Sequence, residues 1–307
     1  MLDSPSQHID ARTRYCAVYG HPVGHSASPP MQNAGIAHLR LNWKYLAFDV
    51  HPDHLEAAIA GAKAMKFVGL NLTLPHKLLA LKMVDELDET GKSCGAINTI
   101  RFEARDESGA WRSLGLLRQD VVGEIRSVGF NTDADAIVRS LRADLQVEPH
   151  GATILLLGAG GAGFVTALRL AQEGAQELFL VNRTRAKSEE MAQLIRERFA
   201  GTRVTIGYPK GKVDLAVNAT SLGLKADDPL PFDAQQLSLG NMGAVYDMIY
   251  RPAETPLLRA AAAAGCRVAN GLGMLLYQGA RALEIWAGQA APLDVMRQAL
   301  ETAVYGR

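Results

Sequence analysis

The stretch TILLLGAGGAG, residues 153–163, decides the fold. It opens on an unbroken apolar run, the pattern of a strand buried on both faces of a parallel sheet. Gly158, Gly160 and Gly163 then form G-x-G-x-x-G between that strand and a helix over 162–173. In this arrangement bare backbone N–H groups and the positive helix end can face a diphosphate. Downstream come ELFLV (177–181), NRT, a helix through about Phe199, RVTIG and VDLAVNAT. This is the βαβαβ spacing of a mononucleotide-binding half. Two further strands, 244–250 and 266–270, flank the helix TPLLRAAAAAG. The sequence therefore predicts a Rossmann domain over residues 151–270.

The end of the second strand selects the dinucleotide. NAD sites place Asp or Glu there for the ribose hydroxyls, whereas this chain has Asn182, Arg183, Thr184 and, one turn on, Lys187. Two cations without a competing carboxylate suit a 2′-phosphate, so NADP(H) is the expected cofactor. The alternative is a solvated helix start capped by Thr184.

Upstream, strands are expected at 15–20, 43–50, 66–73 and 96–102. Helices should begin near Pro29 or Pro30 and run over 54–65, about 77–87 and 133–145. Such alternation predicts an α/β domain with a parallel sheet covered by helices. Residues 104–128 have no clear period, although WRSLGLL can return as a hairpin partner. The last 35 or so residues are two amphipathic helices with no strand of their own. They either cap the Rossmann domain or cross back to the first.

The first domain places small polar and charged side chains at its expected strand ends. Ser26 and Ser28 flank one residue in a glycine-bounded loop, where helix capping is the competing role. Thr73 ends a strand, and Lys77 lies just beyond Pro75. Asn98 lies in GAINT and Asp133 in GFNTD, the latter also a plausible helix cap. Reduction of a ketone by NADPH requires a proton at the carbonyl oxygen as hydride reaches the carbon, and a Lys and an Asp converging there can handle it. His21, His25, His51, His54 and His76 match no metal-binding spacing, so no metal is expected and surface or core hydrogen bonding is assigned to each.

Composition limits the alternatives. The chain has 307 residues, 48% of them hydrophobic, and 32 Lys plus Arg balance 32 Asp plus Glu. A neutral chain has no basic excess to hold nucleic acid. Three dispersed cysteines suit a reducing compartment, MLDSPSQHIDARTR lacks a signal-peptide core, and no apolar run approaches the roughly 20 residues of a membrane span. A cytoplasmic enzyme with a small-molecule substrate, monomeric or homodimeric, is the expectation.

These segments together, YCAVYGHPVGHSASP, NLTLPHK, GAINT, GFNTD, GAGGAG, NRT, NATS, YDMIYRPAETPLL and NGLGMLLYQGA, resemble in order the shikimate dehydrogenase family, which includes quinate/shikimate dehydrogenases. The resemblance spans nearly the whole chain. It implies a polyol-acid pocket lined by Ser26, Ser28, Thr73, Lys77, Asn98, Asp133, Tyr250 and Gln278, with Lys77 and Asp133 as the catalytic pair. It also implies that Gly158 to Ala162 hold the diphosphate, that Asn182, Arg183, Thr184 and Lys187 form the adenosine phosphate site, and that Thr220, Met248, Gly271 and Met274 lie near the nicotinamide. The implied fold is a substrate-binding catalytic domain of residues 12–134 joined by 271–307, whose helices return to it.

The implied reaction is NADP-dependent, reversible reduction of 3-dehydroshikimate to shikimate in aromatic amino acid biosynthesis. Alternatives are a quinate or aminoshikimate dehydrogenase, or a non-catalytic NADPH-binding regulator. A methylene-tetrahydrofolate dehydrogenase is disfavoured by the lack of its lysine pattern and pterin slot. The chain departs from the family pattern at Gln32, at His76, after the NTD motif, and in the insertion at about 104–128.

Overall fold

The computed structural model describes residues 9–118 and 123–306. Two points of the sequence reading therefore lie partly outside the described residues: the polar N-terminus at 1–8 and the insertion at 119–122. Contacts divide the chain into one unit of residues 1–132 with 276–307 and a second of 133–275.

The first unit contains β1 (Arg14–Gly20), α1 (Ser28–His38), β2 (Trp43–Asp49), α2 (Leu55–Ala64), β3 (Gly69–Leu72), α3 (His76–Leu79), β4 (Glu86–Leu87), α4 (Glu89–Cys94), β5 (Thr99–Arg105), β6 (Trp111–Ser113) and β7 (Ile125–Phe130). Its sheet runs β2-β1-β3-β5-β7-β4, with β6 paired to β5. The sheet is mixed, which corrects the parallel expectation: β1 is parallel to β2 and β3, but β5 is antiparallel to β3 and β7. A parallel crossover must carry the chain back to the far end of the sheet. Here α3 and α4 have only four and six residues, and the chain re-enters at the same end, with Asn71 opposite Thr99.

The helix expected over 77–87 is also shorter. After α3 and a turn of 3-10 helix at Ala80–Lys82, the chain becomes β4. Asp85 explains the change. Its carboxylate accepts hydrogen bonds from the Ser127 amide and hydroxyl at 2.6 and 2.7 Å and from Lys63 at 2.8 Å. Tertiary pairing to β7 thereby overrides local helix propensity. Burial alone would raise the Asp85 carboxyl, but these donors and the Lys63 charge hold it below the usual range.

The second unit begins with α5 (Asp133–Leu145), continues through β8 (Thr153–Leu157), α6 (Gly161–Gln172), β9 (Glu177–Val181), α7 (Arg185–Arg198), β10 (Arg203–Ile206), β11 (Val213–Asn218), β12 (Met242–Asp247), α8 (Pro256–Ala263) and β13 (Arg267–Asn270), and ends within α9 (Leu272–Ala287). Its sheet is wholly parallel, ordered β10-β9-β8-β11-β12-β13. The apolar run of β8 serves both faces: Ile154 and Leu156 join the core under α5, α6 and α7, while Leu155 and Leu157 join the core that includes Leu257 and Leu258 of α8. The chain division places α5 wholly in this unit, so the first unit stops at Thr132, short of the expected boundary at 134.

The rest of α9 and the last helix, α10 (Leu293–Tyr305), belong to the first unit, where α10 packs against α1. Gln32 of α1 donates to the Gly279 carbonyl at 2.8 Å, and fully buried Trp286 donates to the Ile100 carbonyl at 3.0 Å. The tail therefore covers the first sheet. Among the described residues no helix is long and apolar enough to cross a membrane, and no group of three or more His, Cys, Asp or Glu side chains is placed to hold a metal.

The described residues of the insertion fall into two parts. Beyond Arg105 a turn held by Asp106 returns as β6, the hairpin expected for WRSLGLL. Residues 113–117 are instead built into the unit: Ser113 donates to the Trp286 carbonyl at 2.8 Å, Arg14 donates to the Leu114 and Leu117 carbonyls, and Gly115 lies against Trp43.

Candidate functional site

In the first unit the polar residues gather where β1, β2 and β3 end and β5 begins. A chain of buried hydrogen bonds connects them. The Tyr45 hydroxyl donates to Asn71 Oδ1 at 2.8 Å. Asn71 Nδ2 donates to Thr99 Oγ1 at 3.0 Å, and Thr99 donates to Asn98 Oδ1 at 3.2 Å. Asn98 Oδ1 also accepts from the Thr132 amide and hydroxyl, at 2.8 and 3.1 Å. Burial pushes the Tyr45 phenol well above its ordinary range, so it stays a neutral donor.

Three donors on one amide oxygen fix the orientation of Asn98. Its side chain is almost completely buried, and among the described residues nothing accepts from its Nδ2. Asn98 thus offers a fixed N–H pair to whatever binds.

The neighbouring groups are anchored through the backbone. Thr73 N donates to Tyr19 O at 2.9 Å, and Ile97 N donates to Lys77 O at 3.0 Å, placing Lys77 one residue from Asn98 in the hydrogen-bonded frame. Lys77 lies in α3, half-buried, rather than directly at a strand end. Ala27 occupies the N-cap of α1, so neither serine has that position; the Ser26 hydroxyl accepts from Ser28 N at 3.3 Å. Gln278 lies on α9 beside Gly279, the residue tied to Gln32. Asp133 follows Thr132 directly and opens α5. The strands preceding Lys77 and Asp133 are β3 and β7, which β5 separates, so these two residues do not follow neighbouring strands.

Among the histidines, His21 Nδ1 lies 2.6 Å from Asp49, whose carboxyl this contact holds below its usual range, and His51 accepts from Asp53 N at 3.3 Å. His76 departs from the hydrogen-bonding expectation. It is fully buried, both ring nitrogens lack partners, and burial lowers its pKa, so the neutral ring fills space beneath α3.

The second unit carries the glycine loop. Gly158 has φ +104°, and a methyl there would lie 2.9 Å from the Ala219 backbone; one at Gly163 would overlap the Gly158 carbonyl. These two glycines permit the turn and the close helix approach. At Gly160 and Gly161, by contrast, an added Cβ would meet nothing within 4 Å. Gly160 is the N-cap of α6 and has no side-chain cap, leaving the first helical N–H groups of Gly161 and Ala162 for an anion. The cradle fits a diphosphate. The Ala159 N–H is already committed: it donates to Asn182 Oδ1 at 3.0 Å, while Asn182 Nδ2 donates to Thr184 O at 2.9 Å. Asn182 thus links the glycine loop to the start of α7.

Thr184 holds the N-cap position of α7 without a side-chain cap bond. Arg183 and Lys187 are exposed, and among the described residues neither side chain has an ionic or hydrogen-bonding partner. Arg185, between them, pairs with Glu189 at 2.9 Å. At the ends of β11 and β12 stand Thr220 and Met248. Gly271 N donates to Ile249 O at 3.2 Å, and a side chain at Gly271 would overlap the Met248 carbonyl. Met274 is half-buried against the core beneath α5, and Tyr250 is a half-buried phenol raised by burial.

Sequence reasoning missed Tyr45, Asn71, Thr99 and Thr132, together with Asn218, Asp247 and Thr255 of the second unit. The available signal was a polar residue inside an otherwise apolar strand, as at Asn71 in GLNLT and Asp247 in AVYD.

Known proteins agree with this layout. Residues 18–100 match the family model described as shikimate dehydrogenase substrate binding domain, 141–205 that of shikimate / quinate 5-dehydrogenase, and 271–301 that of shikimate 5'-dehydrogenase C-terminal domain. A shikimate dehydrogenase (NADP(+)) of Methanopyrus kandleri is 39% identical over 306 residues, covering 97% of this chain and 98% of the relative. The structure of a shikimate 5-dehydrogenase from Thermus thermophilus in complex with NADP(H) and shikimate superimposes with TM-score 0.77 at 33% identity, over 94% of this chain and 99% of the other. A ligand-free 5-ketofructose reductase of Gluconobacter sp. strain CHM43 gives TM-score 0.80 at 31% identity, over 95% and 99% of the two chains. With similarity at this level along its whole length, the chain belongs to the shikimate/quinate dehydrogenase family.

Proposed function

We propose that this chain is an NADP-dependent shikimate dehydrogenase that reversibly reduces 3-dehydroshikimate to shikimate, a step of aromatic amino acid biosynthesis. The observation that carries the reading is the buried chain from Tyr45 through Asn71 and Thr99 to Asn98 and Thr132, next to Asp133. It holds donors for a polyhydroxylated acid in the unit whose relatives bind shikimate, and family membership supplies the substrate class. Ser26 and Ser28 take the carboxylate, and Thr73, Asn98, Tyr250 and Gln278 take the hydroxyls. Lys77 and Asp133 form one proton-handling unit at the reacting oxygen, the ammonium stabilising developing alkoxide charge and the carboxylate orienting it.

When bound, the cofactor supplies the hydride. Gly158 to Ala162 hold its diphosphate, Arg183 and Lys187 its 2′-phosphate, with Asn182 and Thr184 shaping that loop, and Thr220, Met248, Gly271 and Met274 its nicotinamide end. We also propose a cytoplasmic monomer or homodimer; the three cysteines are buried free thiols, as a reducing compartment keeps them.

Initial rates with shikimate, quinate, an amino analogue and, given the likeness to a 5-ketofructose reductase, 5-ketofructose, each with NADP and NAD, test the reading. The highest kcat/KM is expected for shikimate with NADP. A higher value for any other pair refutes the assignment.

A further inference from the structure

The second sheet, ordered β10-β9-β8-β11-β12-β13, reverses its direction of growth between β8 and β11. Ligands of open parallel sheets lie beyond the carboxyl ends of the strands at such a point. The ends of β8 and β9 carry the glycine loop and the Arg183 loop. A dinucleotide laid from there across the reversal continues over the ends of β11 and β12.

Two buried side chains without an assigned role stand at those ends. Asn218 and Asp247 are the last residues of β11 and β12, face each other in the ladder, and have no exposed surface. The Asp247 carboxylate accepts three hydrogen bonds: from Asn218 Nδ2 at 3.0 Å, from Ile249 N at 3.1 Å and from Thr255 Oγ1 at 2.6 Å. Asn218 in turn donates to Leu222 O at 3.0 Å and accepts from the Thr220 amide and hydroxyl at 3.0 and 2.7 Å. The Asn218 carbonyl accepts from Met248 N at 3.0 Å. Thr255 caps α8 through Leu258 N.

Both loops leaving the two strands are therefore tied to one carboxylate. Burial pushes that carboxyl upward and its three donors oppose the shift. An acidic group in an apolar interior is expensive to keep for packing alone. Its partners are the loop residues from 220 to 222 and from 248 to 255, so its effect is on loop placement.

We propose that Asp247, acting through Asn218 and Thr255, is a positioning residue for the nicotinamide half of NADP: it fixes the loops carrying Thr220 and Met248 while touching neither cofactor nor substrate. The inference rests on the NADP reading above.

Its test uses the full chain and two ligands, NADP⁺ and 2′-phospho-ADP-ribose, which lacks only the nicotinamide. Affinities are measured by calorimetry for the parent, Asp247→Asn, Thr255→Val and Thr255→Ser. The parent is expected to bind both ligands. Asp247→Asn and Thr255→Val should weaken NADP⁺ on the order of tenfold and leave the truncated ligand within about twofold, while Thr255→Ser keeps the hydroxyl and parental NADP⁺ binding. Equal losses for both ligands indicate a merely structural role and overturn the proposal, as does parental NADP⁺ binding by Asp247→Asn and Thr255→Val. If Asp247→Asn fails to fold, the Thr255 pair decides by the same criteria. A parent that binds neither ligand refutes the NADP reading itself, and the proposal with it.

Discussion

The two units build their binding groups from different materials. In the first, a mixed sheet presents side chains, and each depends on others behind it: Asn98 is oriented by Thr99 and Thr132, and Thr99 by Asn71. In the second, a parallel sheet presents mostly main chain, at Gly160, Gly161 and Ala162, with the cations Arg183 and Lys187 alongside. Backbone N–H groups are common to all residues, so a backbone cradle recognises a group as general as a diphosphate. Oriented side chains can distinguish one hydroxylated ring from another. The first unit should therefore be sensitive to single deletions of polar atoms, and the second to changes of shape or charge.

The largest expected effect lies at Lys77 of the first unit and at Asp133, the first residue of the second. Lys77→Ala and Asp133→Asn should each lower kcat on the order of 10² to 10⁴, the usual range for a positioned acid or base. The double variant should lose less than the product of the two, because both act on one proton. Fluorescence titration should find NADPH affinity unchanged; a matching loss of affinity would erase the contrast between the units.

Next comes Arg183→Ala. It should raise the KM for NADP on the order of tenfold or more and leave that for NAD nearly unchanged, since only NADP has the 2′-phosphate to lose. Equal changes for both cofactors would remove the charge argument.

A smaller effect sharpens the side-chain half of the comparison. Tyr45→Phe deletes one oxygen, leaving Asn71 Oδ1 without its donor. The shikimate KM should rise several-fold, in line with about 1 kcal/mol, the lower end of the cost of a buried group left unsatisfied, while the NADPH dissociation constant stays put. Steady-state kinetics and titration on the same preparation would check this.

The smallest effect on turnover is expected from the insertion. A shorter turn in place of residues 106–110 should leave kcat within a few-fold and the melting temperature near parental. Ser113→Ala should also preserve kcat but lower stability by about 1–3 kcal/mol, because the Trp286 carbonyl loses its donor. Urea unfolding separates the two halves of the insertion.

What could be read in advance follows the same contrast. The glycine loop was legible because its requirements are local: a strand, a tight turn and a helix start within residues 153–163. The six strands of the second unit followed from apolar runs and spacing. The direction of β5 was not legible, because it depends on where the chain re-enters the sheet after α3 and α4. Nor was the end of α3, since Ser127, which draws Asp85 into the sheet, lies 42 residues away. Candidate residues such as Ser26, Lys77 and Asn98 were legible through motif order. Tyr45, Asn71 and Asp247 were not, because their hydrogen-bond partners come from other strands and loops, and a strand pattern records burial without naming the partner.

The outer strand of the first sheet bears on how copies of this chain meet. Asn33 donates to the Tyr45 carbonyl and accepts from the Tyr45 amide, both at 2.9 Å. Those are the two groups an incoming strand would need at the middle of β2. The side-chain amide imitates a neighbouring peptide, so the sheet ends in a sealed border. Strand addition is blocked at that point, so two copies that meet at the middle of β2 must do so through side-chain surfaces.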